Sequence, residues 1–269
     1  MDGTLRFAAV AACAAALALL ITSTTATAQR SQNWTWCVNK EHASPDLQIG
    51  GCTALIHSGE ENAWNLAIIF RNRGLAYKAK ADFEHAVRDY NQAIRLNPDY
   101  AEAYLSRGLA FRHQNDLARA IRNYSRAIAI DPDYADAYDA RCYARAILGQ
   151  FEQALSDCTE SLRLSPQASY TLDSRGFIYL KMGQFDQAIR DYDAALQSDP
   201  KIAESLYGRG LAKMKKGDVA DGNADIAAAQ ALNPNIAEVM EKFGVPPWRG
   251  VIEAGPEIIS PRAGPGGLQ

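Results

Sequence analysis

The chain has 269 residues, of which 48% are apolar, and its 28 basic and 31 acidic side chains give a net charge of -3. This composition excludes collagen-like, disordered and polytopic membrane proteins. Phosphate binding depends on clustered Lys and Arg, so the near-balance of charge gives no electrostatic basis for binding nucleic acid or an anionic membrane. We therefore expect neither partner.

Residues 1–28 have the pattern of a secretory signal peptide. A charged start is followed by an apolar run over residues 7–21, and Ala26-Thr27-Ala28 forms a small-x-small cleavage site. A retained anchor is the alternative, but about 15 apolar residues fall short of the roughly 20 that cross a bilayer. We predict cleavage after Ala28, a periplasmic or secreted protein, and no membrane insertion after cleavage.

Four cysteines remain after the predicted cleavage: Cys37, Cys52, Cys142 and Cys158. An even number in an exported chain is consistent with two disulfides, although four cysteines allow three connectivities. Local pairing, Cys37 with Cys52 and Cys142 with Cys158, closes two short loops, each stabilising by on the order of 3 kcal/mol. Two buried free thiols at Cys142 and Cys158 are the alternative. No C-x-x-C occurs to support a thioredoxin-type redox role.

A 34-residue period dominates the rest of the chain. Proline recurs in phase five times, at Pro98, Pro132, Pro166, Pro200 and Pro234. With proline at position 32 of each unit, position 8 is Gly74, Gly108, Cys142, Gly176 and Gly210. Positions 20 and 27 are small in every unit, and position 24 is large except at Cys158. The period defines five units, residues 67–100, 101–134, 135–168, 169–202 and 203–236.

Each unit reads as two amphipathic helices joined by a turn. Small residues allow the two helices to approach, and the proline ends the second helix because it disfavours an α conformation just before it. The pattern resembles the tetratricopeptide repeat, which has small residues at 8, 20 and 27, bulky ones at 4, 11 and 24, and Pro at 32. The resemblance implies an all-α fold, a right-handed α-solenoid of stacked helix-turn-helix repeats.

The sequence departs from that family at several positions. Lys213 replaces a bulky residue at position 11, and Gly222 lies inside a helix at a cost of about 1 kcal/mol relative to Ala, so we expect the fifth repeat to be a softer cap. Position 7 is always Arg and position 23 is Asp or Asn. We predict a structural pair in each repeat: Arg73 with Asp89, Arg107 with Asn123, Arg141 with Asp157, Arg175 with Asp191, and Arg209 with Asp225. An arginine ladder for a polyanion is the alternative.

The flanks of the repeats have features of caps. Residues 29–66 form an N-terminal capping segment, with a helix over Pro45–Ser58 that has Ser44 at its N-cap and Gly59 at its end. Residues 237–245 form a C-terminal capping helix. Residues 246–269 are rich in Pro and Gly and are predicted to be a disordered tail.

The sequence contains no recognisable catalytic or metal-binding motif. The four histidines lack metal-ligand spacing, and there is no G-x-S-x-G, H-E-x-x-H or Gly-rich phosphate loop. We therefore predict no catalytic residues, no metal, no cofactor and no enzymatic activity.

The resemblance places partner-binding residues on a concave groove lined by the first helix of each repeat. The predicted groove residues are Leu75, Lys78, Leu109, Arg112, Asp139, Tyr143, Asp173, Phe177 and Leu211. Exposed Tyr143 and Phe177 between charged edges would suit a peptide or partner helix, although acids at helix starts and bases at helix ends also complement the helix dipole.

We predict a non-catalytic scaffold or adaptor of the cell envelope that binds a protein or peptide. The alternative is an accessory subunit of an envelope enzyme or assembly machine that binds a glycan or lipid-linked substrate. Flat, exposed aromatic clusters would favour the glycan, and an apolar trench with charged rims would favour the peptide.

Overall fold

The computed structural model describes residues 27–39, 42–242 and 244–245, and within them every regular element is an α-helix. The predicted signal peptide, apart from its last two residues, and the predicted tail lie outside this part of the chain. The helices are α1 (27–37), α2 (Pro45–Ser58), α3 (Ala63–Ala79), α4 (Phe83–Leu96), α5 (Ala101–His113), α6 (Leu117–Ile130), α7 (Ala135–Ile147), α8 (Phe151–Leu164), α9 (Ser169–Lys181), α10 (Phe185–Ser198), α11 (Ala203–Lys216), α12 (Val219–Leu232) and α13 (Ile236–Lys242). None of the described helices is both long and apolar enough to cross a bilayer.

Consecutive helices from α3 to α12 form five hairpins that stack in chain order. Each second helix contacts the first helix of the next hairpin, and the first helices also contact one another, as in α7 with α9 and α9 with α11. The second helices α4, α6, α8, α10 and α12 all end two residues before the periodic prolines. The predicted α-solenoid of stacked helix pairs is confirmed, and its first helices pack side by side along one face.

A buried tyrosine against a glycine holds together three of the hairpins. Tyr90, Tyr124 and Tyr192 are completely buried. A Cβ added to Gly74, Gly108 or Gly176 would lie 2.5 to 2.9 Å from the ring of the tyrosine in the same hairpin. In the third hairpin, the same two positions are Cys142 and Cys158, which form a disulfide with a Cα–Cα distance of 5.4 Å. The cystine therefore fills the place that a ring fills elsewhere.

The fifth hairpin is closely packed at Gly222. A Cβ on Gly222 would lie 2.4 Å from Met214 Cγ and 2.7 Å from the carbonyl oxygen of Gly210. The absence of a side chain lets α12 approach the backbone of α11. Gly222 is therefore a contact residue between the two helices, and the softer fifth repeat stays a prediction.

Caps cover both ends of the described solenoid. The Cys37–Cys52 disulfide joins α1 to α2. The N-cap of α2 is Ser44, whose hydroxyl accepts a hydrogen bond from the Leu47 N–H, and Gly59 follows in the left-handed conformation. At the other end, α13 packs against α11 and α12.

Candidate binding groove

The structure places all five predicted Arg pairs in hydrogen-bond contact. In four repeats the arginine Nε and Nη2 donate to the two carboxylate oxygens of the aspartate at 2.6 to 2.9 Å: Arg73–Asp89, Arg141–Asp157, Arg175–Asp191 and Arg209–Asp225. In the second repeat, Arg107 Nε donates to Asn123 Oδ1 at 2.8 Å. Bidentate charge-assisted bonds fix the angle between two helices as well as their distance.

Three of these arginines also connect neighbouring repeats, which the sequence did not reveal. Their Nη1 groups donate to the preceding repeat: Arg107 to Asn91, Arg141 to Ser125, and Arg209 to Asp193. The acceptor is always 16 residues upstream of the arginine. The acceptors are an asparagine, a serine and an aspartate. Because no residue type recurs there, nothing in the sequence indicated that these acceptors link the repeats.

Lys213 has a structural role in the fifth repeat. It donates to Asp225 at 2.8 Å, as Arg145 donates to Asp157 at 2.6 Å in the third repeat. Although burial opposes ionisation of Asp225, hydrogen bonds from Arg209 and Lys213 hold its pKa below the ordinary value. Lys213 thus replaces an apolar contact by an ion pair.

The predicted groove residues fall into an accessible set and a buried set. Leu75, Leu109 and Tyr143 are half-buried. Phe177 and Leu211, in contrast, are only 7% and 4% exposed. The expectation that Phe177 projects freely into the groove is wrong, because Phe177 and Leu211 belong to one apolar cluster with residues of α13 and with Val245.

A cluster of three cations, which we call the basic cluster, lies on the first helices of the first two repeats: Arg71, Lys78 and Arg112. Burial lowers the pKa of Lys78, and the charges of Arg112 and Arg71 lower it further. Arg71 Nε is buried without a hydrogen-bond partner, and the Arg112 guanidinium lies 5.3 Å from the centre of the Tyr143 ring. Within the described ranges, none of the three forms an ion pair with a carboxylate, although the charge of Arg112 acts on Asp139 and Arg71 forms a hydrogen bond with Tyr100.

Two aspartates, the acidic pair, lie on the next two first helices. Asp139 and Asp173 occupy position 5 of the third and fourth repeats. Burial raises the pKa of Asp173 to about 7, aided by the charges of Glu204 and Asp139, although the Ser205 hydroxyl donates a hydrogen bond to it at 2.5 Å. Burial also raises the pKa of Asp139, although a hydrogen bond from Thr171 and the charge of Arg112 oppose the shift. Its Oδ1 is buried without a hydrogen-bond partner.

The half-buried cations and aspartates of the groove therefore lie on different repeats, and the two groups adjoin where the charge of Arg112 acts on Asp139. The basic cluster lies on α3 and α5, and the acidic pair lies on α7 and α9. The repeat pattern predicted charged edges on either side of the groove, and Arg71 was not among the predicted groove residues. Position 5 of the repeat is Arg71 in the first repeat and an aspartate in the third and fourth. This change from a positive to a negative charge is the sequence signal that could have identified Arg71 as a groove residue.

Comparison with known proteins identifies the architecture. A family model described as tetratricopeptide repeat matches residues 71–135, and a TPR-repeat model matches residues 176–217. No curated protein matches the chain.

Several solved structures share the fold. PilW, described as a widely conserved type IV pilus biogenesis factor, is 18% identical with a TM-score of 0.58, over 65% of this chain and 86% of PilW. YrrB, described as a TPR protein with an unusual peptide-binding site, is 20% identical with a TM-score of 0.53, over 71% and 97%. PilF from Pseudomonas aeruginosa is 18% identical with a TM-score of 0.57, over 68% and 87%. Identities this low establish a common fold.

Proposed function

Because the chain belongs to the tetratricopeptide-repeat family, we propose that it is a non-catalytic interaction scaffold of the cell envelope that binds a peptide or partner helix in its concave groove. The observation that carries this proposal is the basic cluster beside half-buried Leu75, Leu109 and Tyr143. Half-buried cations without ion-pair partners are energetically unfavourable. A ligand that carries carboxylates would offset the repulsion between the three cations of the basic cluster. The groove therefore suits a peptide with Asp or Glu next to apolar side chains.

The aromatic residues favour a peptide over a glycan. Among the described aromatic side chains, Trp64 and Tyr170 are the most exposed, at 62% and 68%. They lie on α3 and α9, which belong to the first and the fourth hairpin. Tyr143 is half-buried under the Arg112 guanidinium. A flat stacking platform for sugar rings would need neighbouring exposed rings, whereas a trench with charged groups suits an extended chain.

The envelope location rests on two independent features. The first is the signal-like pattern of residues 1–28, and the second is a pair of disulfides whose four cysteines are all 0% exposed. Disulfides persist in oxidising compartments such as the periplasm, and full burial of Cys142 and Cys158 argues against a redox-buffer role for that pair. N-terminal sequencing of the protein from an envelope fraction should give Gln29 as the first residue. An intact Met1 on the recovered protein would exclude cleavage.

Peptide selection tests the groove directly. A random peptide library is panned against the mature wild-type chain, and selected peptides are measured by fluorescence polarisation. We expect peptides with Asp or Glu beside Leu or Phe, and about tenfold weaker binding to the Lys78→Gln/Arg112→Gln variant, since rim and groove charges typically contribute a kcal/mol or more.

The matched control removes two cations from exposed positions on the second helices, Arg88→Gln/Arg122→Gln. This variant has the same net charge as the groove variant and should keep wild-type affinity. Equal weakening in both variants would show that only net charge matters, and binding unaffected by the groove substitutions would place the ligand elsewhere.

A further inference from the structure

We propose that the acidic pair is a specificity pocket for an arginine side chain of the bound peptide, whose guanidinium lies between Asp139 and Asp173 on the groove face of α7 and α9. This inference rests on the proposed function, because it adds one residue to the peptide that the basic cluster is proposed to bind. Its first test uses a single amino acid derivative in place of a peptide, so the two proposals can fail separately.

The two carboxylates of the acidic pair lie near each other and lack a paired cation. They occupy the same repeat position on two helices that contact each other, and the charge of Asp139 acts on Asp173. Glu204 on α11 adds a third negative charge near Asp173. In the described part of the chain neither aspartate forms an ion pair, although the charge of Arg112 acts on Asp139. Largely buried carboxylates without an ion-pair partner are unfavourable, so the site favours a cationic ligand.

Two buried tyrosine hydroxyls beside these carboxylates also lack hydrogen-bond partners. Tyr124 and Tyr192 are completely buried, and the structure gives neither hydroxyl a partner. The charge of Asp139 acts on the Tyr124 hydroxyl and that of Asp173 on the Tyr192 hydroxyl, which lies against Gly208 of α11. Buried polar atoms are rarely left unpaired. Together with Asp139 Oδ1, the two hydroxyls therefore leave three polar atoms near the acidic pair that a ligand could satisfy.

A guanidinium fits this set of atoms better than an ammonium does. Carboxylate and hydroxyl oxygens accept hydrogen bonds, and a guanidinium has five N–H donors in a plane and no acceptor. It can donate to two carboxylates at once, whereas an ammonium is a compact, strongly hydrated charge that costs more to bury. Tyr90 has a similar unpaired hydroxyl in the first repeat, but the charge of Arg71 acts on it, so a cation is not favoured there.

The positions of the two charged groups predict the spacing of charges in the peptide. Arg112 lies at position 12 of α5, and the acidic pair lies at position 5 of α7 and α9. Packed helices are about 9 Å apart, and seven residues extend about 10 Å along a helix. The two groups are therefore about 17 Å apart, which an extended chain spans in about five residues. We expect an arginine about five residues from the Asp or Glu that binds the basic cluster.

Titration with arginine derivatives tests the pocket without the rest of the groove. N-acetyl-arginine amide, its neutral isostere N-acetyl-citrulline amide and the corresponding lysine derivative are added to the ¹⁵N-labelled mature chain and followed by NMR. We expect saturable shifts of the Asp139, Asp173 and Ser205 amides with the arginine derivative, at a dissociation constant on the order of millimolar. The citrulline derivative should bind at least about tenfold more weakly, and the lysine derivative should lie between the two.

Variants with matched charge assign the binding to the acidic pair. Asp139→Asn/Asp173→Asn should lose the preference for arginine over citrulline, and each single variant should lose part of it. The control Glu152→Gln/Glu238→Gln changes the net charge equally at exposed positions and should keep the preference. Unchanged amide shifts in the other repeats would show that the variants remain folded.

The outcomes separate the pocket from the proposed function. The Lys78→Gln/Arg112→Gln variant should keep the arginine preference, because the derivative has no carboxylate for the basic cluster. An arginine preference at the acidic pair combined with peptide binding that is independent of the basic cluster would contradict the proposed function alone. The pocket would be overturned if no saturable shift occurs at Asp139 and Asp173, if arginine binds no more tightly than citrulline or lysine, or if the preference survives Asp139→Asn/Asp173→Asn.

Discussion

In the first four repeats, two different residue pairs fill the space between the two helices. In three repeats, a tyrosine ring lies against a glycine, as Tyr124 does against Gly108. In the third repeat, Cys142 and Cys158 occupy those positions and form a covalent bond. Each solution depends on both partners, because a ring requires a missing Cβ and a disulfide requires two thiols.

The third repeat should accept the ring in place of the disulfide. In urea titrations, we expect Cys142→Gly/Cys158→Tyr to be more stable than Cys158→Tyr alone by roughly 1 to 3 kcal/mol, the usual coupling between residues in contact. The physical reason is that a β-carbon at position 142 would overlap the new ring. The measurement is made under reducing conditions, with Cys142→Gly as the second single variant. Additive effects of the two changes would contradict a shared site.

Asp173 should make stability depend on pH. Its pKa is raised from the ordinary 3.8 to about 7, so the neutral acid stabilises the fold below 3.8 and that contribution is lost as the pH rises toward 7. The free energy of unfolding of the wild-type chain should therefore fall over this range relative to the same chain with Asp173→Asn. Exposed Asp136→Asn is the control. A pH-independent difference would mean that Asp173 ionises normally.

Helix hairpins are held by charge as well as by apolar contact. Asp157 accepts hydrogen bonds from both Arg141 and Arg145, and its side chain is 5% exposed. Arg141 also donates to Ser125 of the preceding repeat. One carboxylate therefore organises two helices of its own repeat and, through Arg141, the contact with the previous one.

Removing that carboxylate should destabilise the solenoid strongly. We expect Asp157→Ala to lower the free energy of unfolding by roughly 3 kcal/mol, because it leaves two largely buried cations unpaired. Asp157→Asn should cost less, since Asn123 performs the same role beside Arg107. The control is Asp193→Ala, which removes an acid whose side chain is 55% exposed and should change stability little. Equal effects at positions 157 and 193 would rule out a special role for Asp157.

Two helical glycines should respond in opposite directions to alanine. Gly222→Ala should destabilise the protein, because its Cβ would overlap Met214 and the Gly210 backbone. Gly50→Ala in α2 should stabilise it by roughly 1 kcal/mol, since no atom lies within 4 Å of the added Cβ and alanine favours the helix. Thermal and urea unfolding of both variants provide the test. A Gly222→Ala variant that is more stable than the wild type would show that helix propensity outweighs the steric contact at position 222.

At the scale of the whole molecule, each repeat depends on its neighbours for stability. The N-terminal cap contains the buried acid Glu61, which receives hydrogen bonds from Arg30, Trp34 and Asn65. The Cys37–Cys52 disulfide lies in the same cap. The cap covers α3 as a preceding repeat would, so the first repeat has no bare apolar face there.

Loss of the first disulfide should loosen the cap without unfolding the solenoid. In Cys37→Ser/Cys52→Ser, we expect faster hydrogen exchange in α1 and α2 and nearly unchanged exchange from α5 onward, because coupling in a solenoid is between nearest neighbours. Mass spectrometry of peptic fragments measures both regions at once. Uniformly faster exchange along the whole chain would instead indicate a single cooperative unit.

The sequence by itself determined the repeat architecture, because a strict period of 34 residues fixes where helices can pack and where proline must end them. It also predicted the pair between the arginine at position 7 and the acid or amide at position 23 of each repeat, such as Arg73 with Asp89, since both positions recur with the same period. Local signals were sufficient for the Pro45–Ser58 helix with its two caps. These features depend on short-range spacing, which a single sequence displays directly.

Only the tertiary structure decided which groove residues are accessible and how their charges are distributed. Phe177 is buried in a cluster with residues of α13 and with Val245, which lie far from it in the sequence. Hydrogen bonds such as that from Arg107 to Asn91 join one repeat to the preceding one. The separation of the basic cluster from the acidic pair likewise follows from stacking. Burial and charge neighbourhood depend on elements brought together by packing, and therefore they are absent from any one repeat's own pattern.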